Sequence, residues 1–256
     1  MGGINWRGLW ALYVKEVRRF WKVMVQTVLA PVVTSLMFLM VMVFAFGRER
    51  ANMAGFPFAD FMLPGLIMMT VLQNAFANTS SSILVSKVQG NIVDVLMPPL
   101  SAMELTIAWV MGGVTRGVAV GAVCLPIMGL FAEVHIHNAW LIAFHAVAGS
   151  MFMSSMGVLG AIWAEKFDHM AAFTNFVVTP LTFLSGTFYT IDRLPPIAQA
   201  IAHYNPFFYA IDGFRYGFLG HESSSPLLGV AVLTVLNAVM FAATYFVIRS
   251  GYKLKP

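Results

Sequence analysis

The sequence predicts an all-α integral membrane protein with six transmembrane helices, and three observations carry that expectation. Charged residues make up 10% of the 256-residue chain, against roughly 25% in ordinary globular domains. Mean hydropathy is +0.78. Uncharged apolar runs are long enough to cross a hydrocarbon core of about 30 Å. One domain, residues 1–256, is expected to contain all of them, since no fixed-period repeat or low-complexity linker divides the chain.

The elements follow in order. Over residues 1–22, Trp6, Leu9, Trp10, Tyr13, Val17, Phe20 and Trp21 recur every three or four positions, with Arg7, Lys15, Arg18, Arg19 and Lys22 mainly between them. That spacing predicts an amphipathic helix lying in the membrane interface. The first span, Val23–Phe46, has 24 residues without a charge, about 36 Å as a helix. It exceeds the roughly 7–15 apolar residues of a signal peptide and runs into Phe-Gly-Arg-Glu-Arg, so it is expected to be retained. Further spans are expected at about 58–84, 104–130, 139–163, 169–188 and 226–248.

Ten of the 15 Lys and Arg fall at the two termini and in the second-to-third and fourth-to-fifth connections. Four (Arg48, Arg50, Arg193, Arg215) fall on the opposite side, and Arg116 lies within a span. The positive-inside rule then predicts a multi-pass protein with both termini in the cytoplasm. The net charge of +4 reflects this distribution and implies no nucleic-acid partner. The sole cysteine, Cys124, has no partner for an internal disulfide.

The second-to-third connection, Lys-Val-Gln-Gly-Asn-Ile-Val-Asp-Val-Leu-Met-Pro-Pro-Leu-Ser (87–101), is too short to cross a membrane. Val88, Ile92, Val95 and Leu96 make one apolar face of a short helix over 87–98, while Lys87, Gln89, Asn91 and Asp94 point elsewhere. Pro98 and Pro99 stop it. The fifth-to-sixth connection, 189–225, carries six aromatic residues between Phe207 and Phe218 among Pro195, Pro196 and Pro206. Such a segment is expected at the outer interface or dipping into the membrane under the shelter of protein.

Several polar residues lie at membrane depth. Thr70, Gln73, Asn74 and Ser81 share one face of the second span, with Asn78 beside it. Thr174, Asn175, Thr179, Thr182 and Ser185 form a looser stripe in the fifth. Polar groups facing lipid leave hydrogen bonds unmade, so these faces are expected to meet protein or a substrate pathway. Arg116 stands about 18 Å into its span, where a charge costs at least about 2.5–3.5 kcal/mol on insertion scales. It therefore needs a partner or a polar cavity. Gly113, Gly117 and Gly121 form a small-residue ladder beside it, along which another helix can approach. Glu133, His135 and His137 alternate in the outer Glu-Val-His-Ile-His loop, a spacing that could hold zinc. Two histidines in a short outer loop more often sit in water, and the sequence assigns no metal site. Glu165, Lys166, Asp168 and His169 make a charged turn between the fourth and fifth spans.

The order of these parts, with Pro-Pro-Leu-Ser-Ala-Met-Glu-Leu after the short helix and Phe-Leu-Ser-Gly-Thr-Phe-Tyr-Thr-Ile-Asp-Arg-Leu-Pro-Pro through Asn205-Pro206, Asp212 and Arg215, resembles the ABC-2 type permeases. These are the membrane subunits of ATP-binding-cassette exporters. The resemblance spans most of the chain and is most specific over Phe183–Arg215. Thr190 departs from it, standing where many members have proline. The resemblance implies that 87–98 is a coupling helix presenting Lys87, Gln89, Gly90, Asn91 and Asp94 to a separate ATPase. It also implies that two permease subunits, here a homodimer, pair with two ATPase subunits in a bacterial inner membrane.

On that reading Thr70, Gln73, Asn74, Asn78, Arg116, Thr174, Asn175 and Thr182 are candidates for the substrate pathway. Phe183, Phe188, Asn205, Asp212 and Arg215 are candidates for an outer gate. The chain has no G-x-x-x-x-G-K-[ST] and no Lys followed by Ser or Thr, so ATP and Mg are expected on the partner and no cofactor on this chain. Family relatives export glycans, lipids, drugs and other amphiphiles. An ATPase-independent channel or secondary transporter is the alternative, disfavoured because only Arg116 lies deep in a span without a relay partner. A membrane-embedded metalloenzyme is disfavoured because no nucleophile, base and orienting group recur at a recognisable spacing.

Overall fold

A computed structural model describes residues 4–46, 52–190, 194–221 and 224–254. Arg48, Arg50, Arg193 and Lys255, which enter the charge count, lie outside the described residues. The architecture is all-α, apart from a hairpin of two-residue strands, β1 (Asn52–Met53) and β2 (Phe56–Pro57). The helices are α1 (Trp6–Trp21), α2 (Ala30–Phe46), α3 (Phe58–Val88), α4 (Ile92–Leu96), α5 (Ala102–Met128), α6 (Ala139–Trp163), α7 (Phe167–Phe173), α8 (Thr179–Phe183), α9 (Pro196–Tyr204), α10 (Pro206–Leu219) and α11 (Pro226–Ser250). π-Helical segments at Val25–Leu29 and Thr174–Val178 lead into α2 and join α7 to α8.

Among the described residues five helices are long and apolar enough to cross a membrane, not six: Val25–Ala45, α3, α5, α6 and α11. The expected fifth span is instead helical over 167–183, about 26 Å at 1.5 Å per residue, and is interrupted by the π-segment. It stops short of Phe188 because the chain turns at Gly186, whose φ of 74° suits glycine.

The helix α3 is the hub. Inside the chain it buries 83% of its most apolar stretch, against 17% for the first span and 22% for α11, so the last two present most of their surface to lipid or to a partner. Phe61, Met62, Met68, Leu72 and Ala75 of α3 are completely buried. The glycine ladder of α5 makes this packing possible. A Cβ on Gly117 would stand 2.9 Å from the Val71 carbonyl and 2.8 Å from the Ser150 hydroxyl, and one on Gly121 would stand 2.6 Å from Val71. Gly117→Leu is expected to separate α3 from α5 at a cost of about 1–3 kcal/mol or more. Loss of a monodisperse peak in size-exclusion chromatography would register it.

The helix α1 forms over nearly the expected residues, but it is docked along the first half of α5. The Asn5 amide donates to Glu104, Gly8 abuts Leu100, and the Tyr13 hydroxyl meets Thr115 Oγ1 at 2.9 Å. Leu12, Glu16 and Phe20 face the bundle, while Trp6, Trp10 and Trp21 are exposed, as aromatic anchors at a membrane interface would be.

At the end of the bundle that carries α4, Lys253 donates to Glu165 Oε1 at 2.7 Å, tying the C-terminal tail to the α6–α7 connection. The Lys253 hydrogen bond holds the Glu165 carboxyl below its ordinary 4.5, and Glu165 in turn raises Lys253 above 10.5. Stability from a depressed acid is lost as pH falls through its folded pKa, and stability from a raised base is lost as pH rises through its own. The tie should therefore persist between these limits and release outside them. Hydrogen exchange of residues 251–254 should be slowest in that window, and Lys253→Ala should abolish the pH dependence.

Candidate functional site

Residues 87–101 project from the α4 end, but as a turn and a short helix rather than a helix over 87–98. The helix α4 has five residues. Lys87 still belongs to α3 and faces inward, its Nζ donating to the carbonyls of Ala161, Ile162 and Ala164 at 3.1, 2.7 and 2.7 Å. It thus satisfies the open C-terminal carbonyls of α6. Val88, expected on the apolar face, is 51% exposed for the same reason: it ends α3 instead of beginning α4.

Gln89, Gly90 and Asn91 make the turn. Gly90 has φ 76° and open space around it. Ile92 and Val95 anchor α4 to the bundle. The exposed surface left over is mixed: Gln89, Gly90, Asn91 and Asp94 beside Val88, Val93, Met97 and the two prolines. Ser101 caps α5 and closes a capping box with Glu104, whose other oxygen accepts the Asn5 amide. A single buried carboxylate thereby joins the start of α1 to the segment following α4. The pattern Ser101-x-x-Glu104 was the readable signal for it.

Within the membrane, the expected polar face of α3 exists and is largely occupied by arginines. Thr70 Oγ1 donates to the Leu66 carbonyl (2.8 Å) and meets Ser35 Oγ at 2.6 Å. Asn74 Nδ2 donates to the Thr70 carbonyl, while its Oδ1 accepts from Arg116 Nη2 at 3.0 Å. Arg116 is buried, and this neutral amide is the hydrogen-bond partner found for it among the described residues.

One helical turn nearer the α4 end, Arg19 Nη2 donates to the Asn78 carbonyl (2.6 Å) and to Oδ1 (2.9 Å), and Nη1 donates to Ser81 Oγ. Arg19, counted above as a surface charge, thus lies against the bundle interior. Glu16 accompanies it, 1% exposed, accepting from Ser82 Oγ at 2.8 Å and 3.5 Å from Arg19 Nε. Gly112 makes room, since a Cβ there would lie 2.7 Å from that of Glu16. The sequence reading passed over Glu16, although its i, i+4 spacing from both Leu12 and Phe20 marks the buried face.

The rest of the α3 face opens on two cavities that meet at Gln73. One, about 220 Å³, is lined by Thr34, Ser35, Thr70, Phe38, Phe183 and Phe188 among others. The second, about 520 Å³, is lined by Ser80, Ser81, Phe167, Thr174 and Thr179 with their apolar neighbours. Phe183 and Phe38 each stack near Phe188, with centroids 5.3 and 5.1 Å apart. Thr174 borders the larger cavity. Asn175 is exposed on the outer face of the π-segment, and Thr182 is fully buried, donating back to Val178.

The remaining three outer-gate candidates are internal. The helix α10 is buried on almost every side by α3, α6 and α11, so this part of the 189–225 connection is enclosed by protein. Phe207 at its start packs edge-on against Phe152, 13 residues along α6 from its first residue, at 5.8 Å. Asn205 caps α10 through the Phe207 amide (3.0 Å) and donates to the Leu181 carbonyl at 2.6 Å, stitching α10 to α8. Asp212 accepts from the Ser224 amide and hydroxyl at 3.1 and 3.0 Å. Arg215, 2% exposed, donates to the Gly186 and Thr187 carbonyls (2.7 and 3.2 Å) and lies 4.2 Å over the Phe61 ring. Arg215 was counted with the outer charges. Its buried position follows from those carbonyl and aromatic partners.

Comparison with known proteins agrees with this architecture. Residues 7–219 match the ABC-2 type transporter model. The chain is 35% identical over 252 residues to the inner membrane transport permease YadH of Escherichia coli K12, covering 98% of each. It is 24% identical over 259 residues to nodulation protein J of Rhizobium leguminosarum bv. viciae, covering 97% of this chain and 95% of that one. The chain belongs to the ABC-2 type transporter family and is a multi-pass membrane permease of an ABC transporter.

Proposed function

We propose that this chain is the permease subunit of an inner-membrane ABC exporter, working as a homodimer with two copies of a separate ATPase that holds the ATP and Mg. The observation that carries the coupling role is the projecting 88–99 surface. Its exposed valines, methionine and prolines flank a polar turn, anchored from below by Ile92 and Val95. Val93 and Met97 would serve as apolar anchors in the ATPase groove, and Gln89, Asn91 and Asp94 as polar contacts. Lys87 then acts from behind as a clamp between α3 and α6. Motion of the segment passes into α3 directly, and into α1 and α5 through Glu104.

Both termini belong in the cytoplasm. On this proposal the 167–183 helix completes a sixth crossing together with the Leu184–Thr190 stretch; the support is that Thr187 lies against Gly65, about 10 Å along α3 from its first residue. The inner-membrane assignment is supported by the name of the permease relative. The pathway runs along the Gln73 cavities. The exposed Asn175 and the poorly buried first span supply the face for the second permease copy, because an amide turned to lipid would lack partners. A cavity pair mixing hydroxyls, amides and phenylalanines suits an amphiphilic cargo.

Arg116, buried with one amide partner, is placed to meet an anionic part of that cargo. Arg116→Leu should leave ATPase binding intact and lower transport roughly tenfold, a loss of about 1.4 kcal/mol. Failure of the ATPase to co-purify with this variant would assign Arg116 to scaffolding instead. For the function as a whole, the test is co-purification of the tagged permease with the ATPase encoded beside it. A permease that purifies alone and transports without ATP would overturn the proposal.

A further inference from the structure

The Glu-Val-His-Ile-His loop is not used by the transport reading, and folding rearranges it. His137 is drawn away: its amide donates to the Gly217 carbonyl at 3.0 Å and its ring packs edge-on against Tyr216 at 5.4 Å. Glu133 and His135 instead turn toward Asp60, in the first turn of α3. Asp60 Oδ1 accepts the Glu133 amide at 2.9 Å. Its Oδ2 takes no hydrogen bond among the described residues and lies 3.6 Å from His135 Nε2, which is 3.7 Å from Glu133 Oε2. One donor atom from each of the three residues falls within 4.8 Å of the others.

We infer that Asp60, Glu133 and His135 form a divalent-cation site of the zinc class, which clips the α5–α6 connection to the outer start of α3. The distances favour it. A tetrahedral zinc with bonds of about 2.0–2.1 Å holds its ligands about 3.4 Å apart, so the two observed separations need close by only a few tenths of an ångström. The chemistry favours it too. The Asp60 side chain is 5% exposed, and a carboxylate so largely withdrawn from water gains from a cation at the oxygen that the Glu133 amide leaves free. One imidazole and two carboxylates suit zinc and its first-row neighbours, and three protein ligands leave a fourth position for water. Glu133, with its side chain 83% exposed, provides the way in. Glu133 and His135 lie two residues apart in the α5–α6 connection, and His135 Nε2 stands within 3.7 Å of both carboxylates.

The test uses the full-length permease, without a polyhistidine tag, in lipid nanodiscs after treatment with a chelator. Zinc chloride alone is titrated by calorimetry, and bound metal is counted by elemental analysis. One zinc per chain is expected. His135→Ala and Glu133→Gln should each weaken binding at least tenfold, and Asp60→Asn should abolish it. His137→Ala should bind as the parent does. Should Asp60→Asn fail to fold, the two loop variants carry the test. No stoichiometric zinc on the parent chain, or unchanged binding by His135→Ala and Glu133→Gln, would overturn the proposal and leave Asp60 and His135 as a plain side-chain contact. Because binding is read without the ATPase, failure here leaves the transport reading untouched.

Discussion

Gly90→Trp is expected to reduce recovery of the ATPase with the tagged permease by at least tenfold, and to lower permease-dependent ATP hydrolysis in step. Two effects combine. Gly90 sits at φ 76°, a left-handed conformation that costs an L-residue roughly 1–2 kcal/mol, so any side chain strains the turn. The indole would also stand on the surface proposed to enter the ATPase groove, where the free chain offers nothing within 4 Å to collide with. Gly90→Ala should show mainly the strain, and Gly90→Trp both. Asp94→Lys tests the polar side of the same patch, because it reverses a charge at an exposed position without touching the Ile92 and Val95 anchors. The permease itself should stay folded in every case. Full ATPase recovery and hydrolysis with both Gly90→Trp and Asp94→Lys would remove this segment from the coupling interface.

Arg215 carries the second large effect, on the scaffold. Its guanidinium spans three elements: α10 that bears it, the Gly186–Thr187 turn whose carbonyls it satisfies, and Phe61 of α3 beneath it. Gly65 is required alongside, since a Cβ there would stand 2.9 Å from Arg215 Nη2 and 2.8 Å from the Thr187 carbonyl. Arg215→Met frees the protein from burying a charge but leaves two carbonyls without donors away from water. The net cost should be about 2–4 kcal/mol. Arg215→Lys should recover little of it, because an ammonium has neither the planar fork nor the flat face that stacks on a ring. Thermal unfolding of the purified permease, followed by the loss of its monodisperse peak, measures both. Stability equal to that of the parent in Arg215→Met would mean that desolvation of the guanidinium cancels its hydrogen bonds.

The parts that were legible from sequence are those governed by local pattern. Amphipathic spacing located α1, apolar length located all five long helices within a few residues at each end, and Pro98 and Pro99 marked the stop after α4. The glycine ladder on α5 announced a close helix neighbour, and the aromatic, proline-broken stretch announced a segment sheltered by protein. Where the reading missed, a long-range contact decided. Arg19 and Glu16 look like ordinary members of a polar helix face, and only the approach of Asn78 and Ser82, 59 and 66 residues away, brings them inside. Lys87 looks like a surface lysine until the end of α6 offers it three carbonyls. Helix 87–98 was overdrawn because α3 claims its first residues and a left-handed glycine separates the remainder.

By itself the sequence determined that this is a helical membrane protein, roughly which stretches are long and apolar enough to cross a bilayer, and that no phosphate-cradling loop resides in the chain. Length, periodicity and motif are properties of neighbouring residues, so they can be read without a fold. Only the tertiary structure decided which polar residue meets which. It gave Arg116 to Asn74 and Arg215 to the Gly186 turn, left Gln73 on open cavities, and brought Asp60 to His135 across 75 residues. In a medium without water to satisfy stray polar groups, each must find its partner in the chain, and the packing of distant helices selects that partner.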